Sequence, residues 1–315
     1  MHGQQTLAVT VVICAYSDLR WERTRAAVES VLTQDPGPRQ VLLVVDHNPG
    51  LADRARRAFG AAMVMQSEDP AGLSGARNTG LRAATQPITA FLDDDAQARP
   101  GWLASLIEPY GSPAVVATGG SVQPQWPARQ PSWLPPAFYW VVGCSYAGLP
   151  TTTGAIRNPI GANMSLRTEL ALAAGGFSSA IGRVGGNTRG CEETELAIRL
   201  TAGRPGATVL YVPGAAVDHH VGRDRLTVGY LVRRCWHEGM SKATVVRLAG
   251  TAVGLQSERS HLTTVIPAAL LADLRRSLTG EVDGIRRIAV SLAGIAAAVG
   301  GYIAGRTGLN WPYPR

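Results

Sequence analysis

Three consecutive carboxylates, Asp93, Asp94 and Asp95, close the apolar run Ile88–Leu92 and stand ahead of Pro100-Gly101-Trp102-Leu103. Side by side at neutral pH they repel one another. The repulsion is relieved when a divalent cation or a ribose hydroxyl uses their oxygens. Oxygen ligands suit Mg²⁺ or Mn²⁺, ions that take one or two carboxylates and leave further positions to substrate phosphates. A lone acidic triplet reads as a solvated loop; one seated directly after a buried strand reads as a site. A second acidic cluster, Glu192-Glu193-Thr194-Glu195, opens a helical pattern in which Leu196 and Leu200 supply the buried i, i+4 face. Acids favour a helix's first turn, and the buried face leaves Glu192 or Glu193 free to point at the sheet edge. Late in the chain, His219 and His220 follow a strand-like run, with Arg225 shortly after.

The elements that must position these groups follow from periodicity. Leu7–Cys14 and Val41–Val45 are continuous apolar, β-branched runs, as expected of strands buried on both faces. Met63–Gln66 is a short third strand and Ile88–Leu92 a fourth. Between them, Trp21, Thr24, Val28, Val31 and Leu32 fall on one helical face, and Leu51–Phe59 and Ser74–Thr85 read as two further helices. Strands alternating with helices predict right-handed βαβ units and a mostly parallel sheet, in which ligands bind beyond the C-terminal strand ends. Ala15-Tyr16-Ser17-Asp18, Asp46-His47-Asn48 and Asp93–Asp95 all sit at such ends. Residues 124–140, which include Trp126, Trp133 and Trp140, are too proline-rich for a regular element. A further αβ stretch spans about 160–217, and 226–250, 262–278 and 285–304 read as helices. The expected organisation is one αβ domain over 1–225, in halves over about 1–123 and 124–225, followed by a helical extension over 226–315.

Charged residues make up 17% of the chain and apolar ones 45%, which predicts a packed core and excludes a disordered protein. The net charge of +7 is uneven. Residues 1–220 hold 17 Lys and Arg against 17 Asp and Glu; residues 221–315 hold 13 against 6. A basic, apolar tail suits an anionic membrane surface or a lipid-linked phosphate. Its basic residues are dispersed and carry no nucleic-acid-binding motif, which argues against nucleic acid. Ile288–Gly305 lacks charge, but eighteen residues rich in glycine and alanine barely reach spanning length, favouring a packed or interfacial helix. Four widely spaced cysteines form no CxxC pair or zinc spacing. With no apparent signal peptide, a cytoplasmic protein is expected, peripheral at the inner face of the cell membrane.

Taken in order, VVICAYSD, VVD, LSGARNTGL, FLDDDAQARPGWL, GANMSLR, GCEETEL and the late histidine resemble family 2 glycosyltransferases of the GT-A fold over about residues 7–235. Each motif alone is modest; the ordered set is specific. The resemblance implies an α/β, Rossmann-like catalytic domain with a C-terminal helical extension, and donor and acceptor roles for the halves over about 1–123 and 124–225. It implies a nucleotide-diphosphate-sugar donor, a carbohydrate or lipid-linked acceptor, and Mn²⁺ or Mg²⁺. It assigns Ala15, Tyr16 and Asp18 to the nucleobase pocket, Asp46 to the base or ribose, and Arg77 to the neighbourhood of base and diphosphate. Asp93 or Asp94 would take the ribose, and Asp95 with His219 (His220 as alternative) the metal. Gly161, Ala162 and Asn163 would form the floor under the sugar. The family usually carries Glu-Asp where this chain has Glu192-Glu193, so Glu193 would be the catalytic base, one methylene longer than usual, with Glu192 as alternative. Trp126, Trp133 and Trp140 could form an acceptor platform. The glycine-rich segment Gly182–Gly190, with Arg183, could close over the diphosphate, and Arg225 could join it.

These roles imply an inverting transfer of a sugar to an acceptor hydroxyl, in polysaccharide, glycolipid or other cell-envelope glycoconjugate synthesis. A sugar-phosphate nucleotidyltransferase is the rival enzyme, but AYSDLRWERT lacks the Gly- and Lys-rich phosphate loop it would need. A non-catalytic membrane-associated binding protein of the same fold is the rival of another class, and it would have no use for Glu193 or a metal.

Overall fold

A computed structural model of the chain describes residues 8–179, 181, 190–250 and 255–308. Four parallel strands form one half of a nine-stranded sheet: β1 (Val9–Ala15), β2 (Gln40–Val45), β3 (Met63–Gln66) and β4 (Ile88–Asp93). Helices α1 (Trp21–Leu32), α2 (Pro49–Ala58) and α3 (Leu73–Ala83) make the crossovers between them. The strands are apolar because both faces are covered: Val11, Val12, Ile13, Leu42 and Val44 are almost completely buried. Helix α1 buries Trp21, Thr24, Ala27, Val28 and Val31. Leu32, expected on the same face, is exposed, because it lies one step of about 100° past Val31.

The second half of the sheet is antiparallel, so the sheet is mixed rather than mostly parallel. The crossovers stop after β4. A tight turn leads into β5 (Ala96–Ala98), followed by α4 (Trp102–Ile107), β6 (Val115–Gln125), β7 (Gly154–Ile156), β8 (Asn163–Arg167), α5 (Thr168–Ala173), α6 (Glu192–Thr201) and β9 (Thr208–His220). The strand order is β3-β2-β1-β4-β8-β6-β9-β5, with β7 also on β9. Strand β8 runs antiparallel to both β4 and β6, and β9 antiparallel to β5 and β7. The proline-rich stretch holds more order than its composition suggests. Strand β6 runs through Pro124, where a missing N–H near a strand end forfeits little of the ladder. Pro135 and Pro136 then start a 3₁₀ turn over Pro136–Val142.

The chain divides into two compact units. One comprises the described residues of Met1–Gln123, Pro150–Gly185 and Glu192–His219; the other those of Pro124–Leu149, Gly186–Cys191 and His220–Arg315. The second unit is helical: α7 (Val228–Ala249), α8 (Gln256–Ser260), a π turn over His261–Val265, α9 (Ile266–Leu278) and α10 (Val282–Thr307). Helices α7 and α10 meet backbone to backbone. A Cβ added at Gly239 of α7 would lie 2.0 Å from the Ala298 carbonyl oxygen of α10, and one at Gly301 would lie 2.0 Å from the Trp236 carbonyl oxygen. Along α7, buried Arg234 and Lys242 flank half-buried Glu238 in a ladder of ion pairs, with Glu238 2.7 Å from Arg234 and 3.2 Å from Lys242, and Lys242 3.0 Å from Glu258.

A side chain at Gly239 must therefore push two helix backbones apart. Gly239→Ala is expected to destabilise the protein by about 1–3 kcal/mol, read as a lowered urea midpoint followed by circular dichroism.

Candidate functional site

The site grows out of strand register. Asp93 is the last residue of β4 and lies opposite Cys14 of β1. Three residues on, β5 begins, with Ala96 opposite His219 of β9. Asp95 is thus carried to the imidazole, and His219 Nε2 lies 3.3 Å from Asp95 Oδ1. Ligand atoms of Asp93, Asp95 and His219 all fall within 4.8 Å of one another. Two carboxylates and an imidazole, with Asp95 and His219 buried, form a donor set that fits Mn²⁺ or Mg²⁺. Asp93, expected to contact only the donor, is thereby also a candidate metal ligand. Asp94 is set apart from this trio. Its Oδ1 accepts from Arg20 Nη1 at 2.8 Å, and the same nitrogen lies 3.2 Å from Asp95 Oδ2. Burial pushes the Asp94 carboxyl up to about 7; Asp95 adds to the rise and Arg20 opposes it. Asp94 Oδ2 is buried without a hydrogen-bond partner.

Arg77 is the centre of the other half. It projects from α3 into the protein, not into solvent, and is 2% exposed. Nη1 donates to Glu192 Oε1 at 3.0 Å, and Nη2 donates to the Gly161 carbonyl at 3.0 Å and to Asp93 Oδ1 at 3.3 Å. The guanidinium also lies over the Phe177 ring, 5.5 Å from its centroid. One cation thus ties β4, the turn before β8 and the first turn of α6. A Cβ at Gly161 would lie 2.9 Å from Arg77 Nη2, so a side chain there would press on the guanidinium. Glu192 is buried and held by Arg77, with its Oε2 unpartnered; Glu193 is half-buried.

The loops after β1 and β2 are cross-linked. Asn48 caps α2 by accepting from Leu51 N, and its amide donates to Asp18 Oδ2 at 3.0 Å and to the Tyr16 carbonyl. Asp46 accepts from Gly72 N at 2.9 Å, fixing the start of α3, and its other oxygen meets His47 Nδ1 at 2.7 Å. Tyr16 is 53% exposed, whereas Ala15 is buried and uses its carbonyl to accept from Asp46 N.

Asn163 departs from expectation. Instead of flooring a sugar, its side chain accepts from Trp102 Nε1 and donates to the Ser121 and Ala215 carbonyls, and it is fully buried. With its hydrogen-bonding capacity spent inside the sheet, it holds the fold together; Ala162 beside it is also buried. Trp126, Trp133, Trp140 and Arg225 belong to the second unit. There Trp126 packs edge-on against Tyr139, and Trp140 lies beside Phe138 and beneath Arg234. Arg225 ends a 3₁₀ turn. Arg183 and residues 182–189 of the glycine-rich segment lie outside the described residues.

Sequence reasoning missed Arg20, whose place one turn after β1 was the available signal. It also missed the anchoring of the segment that leads into α6. Cys191 adopts a left-handed φ of 79°, its thiol donates to Glu238, and Gly190 N donates to Ser241 Oγ. Burial alone would raise the Glu238 carboxyl, but Lys242 and Arg234 hold it well below the usual carboxylate range.

Comparison with known proteins yields a consistent set. Residues 10–172 match the model of the family described as Glycosyl transferase family 2. A glucosyl-dolichyl phosphate glucuronosyltransferase of Haloferax volcanii is 35% identical over 75% of this chain and 76% of its own length. The succinoglycan biosynthesis protein ExoM of Rhizobium meliloti is 28% identical over 58% of this chain and 55% of its own. Among solved structures, the mannosyltransferase PcManGT of Pyrobaculum calidifontis, in complex with GDP-Man and Mn²⁺, superposes with a TM-score of 0.61 at 19% identity, covering 95% of this chain and 88% of its own.

Removing the buried guanidinium would leave Glu192 and Asp93 without their shared cation. Arg77→Met is expected to cost about 3–5 kcal/mol of folding stability, and adding Glu192→Gln should recover part of that loss. Urea unfolding of the two variants beside the unaltered protein measures both effects.

Proposed function

The chain belongs to glycosyltransferase family 2, and on that premise we propose that it is a metal-assisted, inverting enzyme with its donor site at the ends of β1, β2 and β4. The observation that carries the reading is the trio Asp93, Asp95 and His219 set beside the Arg77–Glu192 pair. Asp95 and His219, with Asp93, would hold Mn²⁺ or Mg²⁺, and Asp94 is left for the ribose. Bound there, the ion would stabilise the charge that builds on the leaving diphosphate. Tyr16, exposed at the end of β1, offers a face for the base, with Asp46 and Asp18 at the neighbouring edges.

Glu193 takes the proton from the acceptor hydroxyl as that oxygen attacks the anomeric carbon. The new bond to the acceptor forms as the bond to the phosphate oxygen breaks, and the nucleoside diphosphate leaves with the electron pair. Glu192, whose Oε1 accepts from Arg77 Nη1 at 3.0 Å, is the alternative base. Holding donor and acceptor together supplies further acceleration. The similarity to an enzyme named for a glucosyl-dolichyl phosphate supports a lipid-linked phosphosugar as acceptor.

We further propose that the second unit docks on the inner face of the cell membrane. Val282–Thr307 is, among the described residues, the helix long and apolar enough to span a bilayer. Spanning is disfavoured, since its glycine face is locked to α7, which carries Arg233, Arg234, Glu238, Lys242 and Arg247. Its other face exposes Val282, Ile285, Ala289, Leu292, Ala296, Val299 and Ile303, an unbroken apolar stripe about 30 Å long at 1.5 Å per residue. Exposed Arg286 and Arg306 stand near its ends, and Arg275 and Arg276 are exposed on α9. This combination suits an interfacial helix on anionic lipid.

Donor hydrolysis over a panel of UDP- and GDP-sugars tests the chemistry. Chelation by EDTA and the Asp95→Ala change should each abolish turnover, and Glu193→Gln should lower kcat by about 10²–10⁴-fold. Activity that survives EDTA would refute the metal assignment, and an unimpaired Glu193→Gln enzyme would refute the base. For the membrane reading, the protein should co-sediment with phosphatidylglycerol vesicles more than with phosphatidylcholine vesicles, and Leu292→Glu with Val299→Glu should abolish this. Failure to bind either vesicle, or a dimer in solution that the double change dissolves, would overturn it.

A further inference from the structure

We infer that Arg20 is an internal counter-ion of the donor site, which competes with the divalent cation for Asp95 in the free enzyme and turns to the diphosphate when donor binds. The inference rests on the donor-site reading above. Arg20 ends the 3₁₀ turn Asp18–Arg20, between the loop after β1 and the start of α1. Its backbone is fixed: the amide donates to the Ser17 carbonyl and the carbonyl accepts from Thr24 Oγ1. The long side chain is therefore the part that can move.

Three observations converge on it. One nitrogen, Nη1, serves both Asp94 Oδ1 at 2.8 Å and Asp95 Oδ2 at 3.2 Å. Asp95 is also the carboxylate that meets His219 in the candidate metal trio, so a cation bound there must share Asp95 with the guanidinium. The guanidinium lies over Tyr16, 5.0 Å from the ring centroid, and its side chain is 21% exposed, so it borders both the proposed nucleobase face and solvent.

Physical chemistry gives Arg20 two opposed effects. Before ligands arrive, it offsets the repulsion of the adjacent carboxylates and reduces their attraction for a second cation. Once a nucleoside diphosphate and a divalent ion are present, the ion meets the carboxylates' charge, and the guanidinium fork is matched to phosphate oxygens. Arg77 cannot take this part, being buried among Glu192, Asp93 and the Gly161 carbonyl.

The test separates the two effects on the full chain. Mn²⁺ binding without nucleotide is followed by electron paramagnetic resonance. Binding of UDP and of GDP with Mn²⁺ saturating is followed by calorimetry. Arg20→Met should bind Mn²⁺ alone about three- to tenfold tighter, because a repelling charge a few ångströms away is gone. The same variant should bind the preferred nucleotide about tenfold more weakly, for want of a charge-assisted bond to phosphate. Arg20→Lys, which keeps the charge but not the fork, should hold Mn²⁺ as the unaltered protein does and lose only part of the nucleotide affinity. Unchanged or weakened Mn²⁺ binding in Arg20→Met would mean that Arg20 merely holds the carboxylates in place, and would overturn the inference. So would unchanged nucleotide binding. An unaltered protein that binds neither Mn²⁺ nor either nucleotide would overturn the donor-site reading and this inference with it, whereas loss confined to the variants bears on Arg20 alone.

Discussion

The first unit depends on one buried charge. A guanidinium removed from water is costly unless its hydrogen bonds are met, and Arg77 meets the condition by collecting Glu192, Asp93 and the Gly161 carbonyl around itself. Each partner comes from a different part of the chain. Satisfying the cation therefore fixes where β4 ends, how the turn before β8 passes, and where α6 begins. The same contacts leave the two acids near one another without the repulsion they would otherwise suffer. The end of β4, the turn before β8 and the first turn of α6 are thus held by one electrostatic constraint.

A comparable device operates in the second unit. Arg234, Glu238 and Lys242 pair along one side of α7, and Glu238 accepts from the thiol of Cys191. The segment that leads into the acidic first turn of α6 is therefore anchored, on its own side, by a ladder of paired charges. Where α7 faces α10 the chemistry changes to bare backbone contact, which only glycine allows at Gly239 and Gly301.

Much of this was legible in residue patterns, and the limits have physical causes. Strands β1 to β4 announce themselves because burial on both faces demands continuous apolar runs. The acidic tract and the late histidine announce themselves because such groups seldom follow a buried strand without a use. The antiparallel half of the sheet does not, since pairing partners such as Ala96 and His219 are far apart in sequence. Asn163 reads like a pocket residue because buried and ligand-facing amides share one composition; only its three filled hydrogen bonds distinguish them. Arg20 sits on an unremarkable stretch, and its importance arises from a partner 74 positions away.

The turn between β4 and β5 divides three identical residues among different neighbours. Asp93 goes to Arg77, Asp94 to Arg20, and Asp95 to His219 as well as Arg20. Repetition in the spelling is therefore not redundancy in the protein. Register against β1 and β9 assigns each carboxylate its neighbour, so the loss of one aspartate codon would not be absorbed by the remaining two. Shortening the turn would pull Ala96 toward the end of β4 and displace the remaining carboxylates from His219, the residue opposite Ala96 on β9.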